Sequence, residues 1–79
     1  MSHTPHELAE EFPADIDRMQ SLKAGNAHFA RLYDEYHAVN RSIHRAESLI
    51  EPISDEAEAA LRKQRMALKD EIARLLRAA

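Results

Sequence analysis

Apolar residues recur at every third or fourth position through the middle of this 79-residue chain. The intervals alternate between three and four residues along one run of seven positions: Phe29, Leu32, Tyr36, Val39, Ile43, Ala46 and Ile50. A repeat of this kind places its members on one stripe of an α-helix, where they pack against a partner helix. The sequence therefore predicts a long helix of coiled-coil type.

A second run with the same spacing lies near the end of the sequence. Its members are separated by 4, 3, 4, 3 and 4 residues: Leu61, Arg65, Leu68, Ile72, Leu75 and Ala79. Between the two runs stands "EPISDE", in which Pro52 disrupts a helix interior and either Ser54 or Asp55 can cap the next helix. We therefore expect a turn at residues 50–54.

A connection this short favours two helices that fold back on each other. We predict an all-α fold in which residues 26–79 form an antiparallel helical hairpin. Its expected seam pairs Ile43 with Leu61, Val39 with Arg65, Tyr36 with Leu68, Leu32 with Ile72 and Phe29 with Leu75.

Residues 1–25 are predicted to form a short N-terminal helical arm within the same structural domain. In "TPHE", Thr4 can cap a helix that begins at Pro5, and Glu7 completes a capping box. Pro13 removes a backbone donor and disfavours helix in the residue before it, so we expect a break there.

A second short helix is predicted over residues 14–24. Gly25 is expected to end it in a left-handed conformation, and Asn26 to cap the helix that follows. The arm has a narrow apolar stripe that needs a surface to cover it, either its own hairpin or another chain. We predict partner or oligomer contacts for five residues of this stripe: Leu8, Phe12, Ile16, Met19 and Leu22.

The composition excludes several classes of protein. No stretch approaches the ~18 apolar residues of a membrane span, and the first residues lack the pattern of a signal peptide, so we expect a cytoplasmic protein. The absence of cysteine rules out disulfides and thiolate sites. With 11 Lys and Arg against 14 Asp and Glu, the chain shows no basic field of the kind that nucleic-acid binders carry.

Histidines and carboxylates are the candidates for metal or acid–base chemistry. His37 and His44 are seven residues apart, too far to share one ion on a helix, and we expect both on the outer face. His3 and His6 are expected at a frayed helix terminus, where we predict only adventitious metal binding. Four carboxylates are expected on a solvated face: Asp34, Glu35, Asp70 and Glu71. We therefore predict no catalytic, metal or cofactor site.

Two basic features remain. Four residues near the turn can form a basic belt that contacts nucleic acid: Arg41, Arg45, Arg62 and Lys63. Arg65 is the polar member of the seam, where it either fixes register or oligomer state or extends past Val39 into water. For the first role, its guanidinium would reach Tyr36, Glu35 or a carboxylate of another chain.

From Phe12 onward, the chain resembles the YdcH-like family of small bacterial proteins. The resemblance is carried by "FP" at residues 12–13, "LK" at 22–23, "NAHF" at 26–29, the seam residues Tyr36 and Ile43, and "LKDEI" at 68–72. It implies a small cytoplasmic hairpin with coiled-coil character. It implies no activity and no catalytic residues.

The sequence favours a non-enzymatic interaction or adaptor protein. Since a chain of this length buries only a thin core, we expect it to form a homo-oligomer and to bind a protein partner. The alternative is an accessory factor for nucleic acid that uses the basic belt.

Overall fold

The computed structural model describes residues 5–48 and 52–78. Four α-helices and one short 3-10 helix follow each other: α1 (Leu8–Glu11), the 3-10 helix (Pro13–Asp15), α2 (Ile16–Gly25), α3 (Ala27–Glu47) and α4 (Asp55–Ala78). These described residues contain no strand. The all-α prediction is confirmed, and the helices break at Pro13 and Gly25 as expected.

Two side-chain caps set the starts of the hairpin helices. The Asn26 Oδ1 accepts a hydrogen bond from the Phe29 backbone N–H at 3.1 Å, which fixes the first turn of α3. The Ser54 Oγ accepts from the Ala57 N–H at 3.1 Å, so Ser54 rather than Asp55 caps α4. Ile50, the last member of the first predicted run, lies outside the described residues.

α3 and α4 bury their seams against each other. On α3, Phe29, Tyr36 and Ile43 have no exposed surface. On α4, Leu68 and Ile72 are buried and Leu61 is partly buried. These residues form the centre of the core.

The inward position moves by one residue near the end of α4. Leu76 is buried, whereas Leu75, the predicted seam member, is only partly buried. A straight α-helix has 3.6 residues per turn and drifts relative to a 3.5-residue repeat, so the stripe moves from 75 to 76. The arm also contacts this end of α4, since the Arg18 Nη1 donates to the Leu76 carbonyl at 3.0 Å. Ala79 lies outside the described residues.

The arm packs on its own hairpin. Leu8 and Met19 are buried in the common core, and Phe12 and Leu22 are partly buried against it. Ile16 remains 42% exposed. Four of the five arm residues for which we predicted partner contacts are thus covered within the chain, because the tethered hairpin is the nearest apolar surface.

The arm begins differently from the prediction. α1 starts at Leu8, not at Pro5, and Glu7 precedes it without a side-chain cap. His6 has a φ of 65°, a left-handed conformation that is incompatible with a right-handed helix beginning at Pro5. Hydrogen bonds from α3 to the carbonyls of Pro5 and His6 hold this turn, so tertiary contacts override the local helix signal. Thr4, the predicted cap, lies outside the described residues.

The conformation predicted for Gly25 is also wrong. Gly25 is the last residue of α2 and does not have a positive φ. The chain changes direction one residue later, at Asn26, whose backbone is extended (φ −136°, ψ 107°). An extended residue can link two helices at an angle without a left-handed glycine.

Candidate interaction site

A layer of three polar side chains lies inside the hairpin. Asn40 is 1% exposed, and its Nδ2 donates to the Pro5 carbonyl at 2.9 Å. The Arg65 Nη1 donates to the Asn40 Oδ1 at 2.9 Å. The Tyr36 hydroxyl donates to the His6 carbonyl at 2.6 Å. The layer therefore joins α3, α4 and the N-terminal segment through groups that would be costly to leave unpaired.

Residues 5–11, called the N-terminal strap here, are also held by polar contacts between side chains. The Glu7 carboxylate lies 2.9 Å from the His37 Nδ1 on α3. The Glu11 carboxylate lies 2.9 Å from the His6 Nδ1 and 3.4 Å from the Lys69 Nζ on α4. The strap thus contacts both helices of the hairpin.

His37 was predicted to lie on the solvent-exposed outer face of α3, but this prediction is wrong. Its side chain is 20% exposed, and its ring lies tilted against the Tyr33 ring with 4.6 Å between the ring centroids. Tyr33 in turn lies under the Lys23 Nζ, 4.3 Å from the ring centroid. The strap and α2 cover this flank of α3, which sequence periodicity alone assigns to solvent.

Burial and neighbouring charges shift two pKa values in this region. Burial raises the pKa of Tyr36 to about 12, and the negative charge of Glu11 adds to the shift while Arg65 opposes it. The hydrogen bond from His6 lowers the pKa of Glu11 below its ordinary value, and Lys69 lowers it further against the opposing effect of burial. Tyr36 is thereby held as a neutral donor, and Glu11 as a carboxylate.

A cavity of about 320 Å³ opens between the strap and α4. It is lined by His6, Glu11, Tyr36, Arg62, Arg65, Met66 and Lys69. Met66 is 64% exposed, the most exposed large hydrophobic side chain in the part of the chain that the structure describes. Arg62, Met66 and Lys69 follow at i, i+4 and i+7, so they share one face of α4, called the Met66 face here.

The predicted basic belt is only partly assembled. The Arg62 Nη2 lies 3.1 Å from the Glu47 carboxylate and 3.0 Å from the Glu58 carboxylate. The Arg45 Nη2 donates to the Ser42 Oγ at 3.3 Å. Two further residues of the belt are exposed: Arg41 and Lys63. Because Arg62 is neutralised locally, the belt does not present one continuous positive surface.

The remaining candidates form no shared site. Asp34, Glu35 and Asp70 are exposed. Glu71 is paired with Arg74, whose guanidinium lowers the pKa of that carboxyl. Within residues 5–48 and 52–78, no three side chains of the His, Cys, Asp and Glu types are grouped to hold a metal ion. His3 lies outside those ranges.

Asn40 and Met66 were missed by the sequence reasoning. Asn40 directly follows Val39, the residue that the predicted register places opposite Arg65. The sequence could therefore have predicted a polar contact between Asn40 and Arg65. The spacing places Met66 beside the predicted seam, but how far it stays exposed depends on where the strap ends against α4. No described helix has the length and apolar character required to cross a membrane.

The comparison with protein families covers the hairpin. Residues 29–76 match the family described as "Protein of unknown function (DUF465)". This match spans α3 and most of α4, including Asn40, Arg65 and Met66, and it takes in more than half of the chain. No curated protein and no solved structure matches the chain. The chain therefore belongs to the DUF465 family of proteins of unknown function.

Proposed function

We propose that this chain is a non-enzymatic, coiled-coil interaction protein of the cytoplasm that self-associates and binds a protein partner. The resemblance to the YdcH-like bacterial proteins is part of the same proposal. The observation that carries it is the Met66 face. Met66 is 64% exposed and borders a cavity of about 320 Å³ that Arg65 also lines, and methionine and arginine are residue types enriched in protein interfaces.

The chemistry of the perturbed groups supports a binding role over a catalytic one. The Tyr36 hydroxyl is bound to a backbone carbonyl, and Glu11 is held ionised by His6 and Lys69. General acid–base catalysis needs a group that can exchange its proton near the working pH. Contacts that lock one protonation state instead stabilise a structure.

Self-association is supported by the size of the chain and by Ile16. A 79-residue chain buries a small share of its surface, and the arm leaves Ile16 42% exposed after covering its neighbours. Sedimentation equilibrium over a range of concentrations tests this part of the proposal. A mass above that of one chain is expected, whereas a strict monomer at every concentration would contradict self-association.

The partner surface is tested by site-specific photo-crosslinking in cells. A photoreactive residue placed at Met66 is expected to form an adduct with another protein, and the same residue at Ala60, which is exposed elsewhere on α4, is the control. Equal labelling from both positions would reject the Met66 face.

A third crosslinking position separates the arm from the hairpin. If the exposed apolar residue of the arm provides the contact, Ile16 rather than Met66 will give the adduct. Nucleic-acid binding is the alternative function, and it predicts adducts with RNA or DNA at Arg41 and Lys63, together with salt-dependent retention on nucleic acid. Either outcome would contradict the proposal that the Met66 face binds the protein partner.

A further inference from the structure

We propose that the cavity between the strap and α4 is a carboxylate-binding site, and that it takes an acidic side chain from an amphipathic helix of the protein partner. This inference rests on the proposed function and specifies the chemistry of the partner. The site is centred on Arg65, and Met66 provides the adjoining apolar contact.

Arg65 supplies the cation. It is half-buried, and the hydrogen bond to the neutral Asn40 Oδ1 uses one of its five N–H donors. No described carboxylate forms an ion pair with Arg65, although this guanidinium lines the cavity. A partly desolvated cation with a neutral partner is stabilised by an anion that enters beside it, and a carboxylate fits the planar fork of arginine.

The neighbouring charges limit the site to one anionic group. The Lys69 Nζ forms an ion pair with the Glu11 carboxylate at 3.4 Å, and Arg62 forms ion pairs with two carboxylates. Glu11 also lines the cavity, so a ligand with many negative charges would meet repulsion there. A single carboxylate can bind Arg65 and approach Lys69 without displacing the other pairs.

The cavity has the size and lining of a side-chain site. About 320 Å³ is at the lower limit for pockets that bind whole small molecules. The side chain of Met66, which is 64% exposed, contributes apolar surface beside the guanidinium. A glutamate with an apolar residue one helical turn away matches this arrangement, because i and i+4 side chains lie on the same face of a helix.

These features favour an acidic peptide over nucleic acid. Phosphates follow one another along a strand and need a basic track, whereas here Arg62 and Lys69 already have carboxylate partners. Single-stranded nucleic acid also stacks its bases on exposed aromatic rings. Tyr36 is fully buried and Tyr33 is covered by Lys23 and His37, so neither ring offers such a surface.

The experiment uses the full chain, labelled with ¹⁵N, and a synthetic helical peptide that carries glutamate and leucine four residues apart. The control peptide has glutamine in place of the glutamate. We expect the first peptide to shift the Arg65 Nε–Hε and Met66 amide resonances, and the glutamine peptide to bind at least about tenfold more weakly, since a hydrogen-bonded charge is lost. Equal binding of the two peptides would overturn the proposal.

Variants of the protein locate the site. Arg65→Gln should weaken binding of the glutamate peptide about tenfold or more, and Lys63→Gln, which removes the same charge from an exposed position, should change it by less than about twofold. Should Arg65→Gln fail to fold, two other measurements locate the site: Met66→Gln should weaken binding of the glutamate peptide, and that peptide should shift the Arg65 resonance of the unaltered chain. An oligonucleotide or inorganic phosphate that binds at Arg65 more tightly than the peptide would also overturn the proposal.

The two proposals can fail separately. If the Met66 crosslink persists but the glutamine peptide binds as well as the glutamate peptide, the partner is not acidic and the proposed function stands. If no crosslink forms at Met66 while the glutamate peptide binds at Arg65, the carboxylate site stands without the Met66 face as the partner surface.

Discussion

Replacing Tyr36 with phenylalanine tests how the strap is attached to the hairpin. The substitution removes the hydroxyl that donates to the His6 carbonyl at 2.6 Å and leaves the shape of the buried ring unchanged. A single hydrogen bond of this kind contributes about 1 kcal/mol to the free energy of unfolding. For a domain of this size, that loss lowers the Tm by about 4 to 8 °C at neutral pH.

The same substitution should have the opposite effect at alkaline pH. The pKa of Tyr36 is raised from 10.0 to about 12 in the folded chain, so the unfolded chain loses this proton first. The stability that Tyr36 provides is complete below pH 10 and is lost as the pH rises toward about 12. At about 1.4 kcal/mol per pH unit, the loss reaches about 2 to 3 kcal/mol, and the phenylalanine variant does not suffer it.

The two unfolding free energies should therefore cross near pH 11, about one unit above the ordinary pKa of tyrosine. Urea denaturation followed by circular dichroism from pH 7 to pH 12 measures both curves. Tyr33→Phe is the matched control, because the Tyr33 ring lies at the edge of the same flank and its hydroxyl does not hold the strap. Parallel curves for Tyr36→Phe and the unaltered chain would refute the reasoning.

Four further substitutions test the packing and the local geometry. Leu8→Ala should cost about 2 to 4 kcal/mol in unfolding free energy and expose the arm to proteolysis, because Leu8 is fully buried; an unchanged melting curve would show that the arm does not pack on its own hairpin. Arg65→Leu and Asn40→Leu should be non-additive by about 1 kcal/mol in chemical denaturation, since either change alone strands a polar partner, and strict additivity would exclude their coupling. Gly25→Ala should stabilise the protein by about 0.5 to 1 kcal/mol, because an added Cβ meets open space in a helical backbone, whereas destabilisation would indicate the left-handed conformation that the sequence predicted.

The hairpin was predictable because its signals are local or periodic. A repeat of three and four residues identifies the buried face of a helix whatever the partner, and it correctly marked Phe29, Tyr36 and Ile43. A cap needs only the residues of one helical turn, so the sequence predicted Asn26 directly and narrowed the second cap to Ser54 or Asp55.

The candidate site was predictable only in part. Arg65 was recognised as the polar member of the seam. It was predicted opposite Val39, and its hydrogen-bond partner is the next residue of α3, Asn40. That partner is a neutral amide and not one of the predicted carboxylates. The basic belt was less well predicted. Its central arginine, Arg62, is bound by Glu47 and Glu58. Glu47 lies on the opposite helix, and sequence spacing does not give the rotation of one helix relative to the other.

By itself, the sequence determined the two hairpin helices, the breaks at Pro13 and Gly25, and most of the stripe along which α3 and α4 meet. Only the tertiary structure decided the path of the strap, the left-handed turn at His6, the burial of His37 and Asn40, and the exposure of Met66. The physical reason is the range of the interactions. Helix propensity and capping act within about one turn, whereas the strap is placed by hydrogen bonds between residues 30 and 35 positions apart.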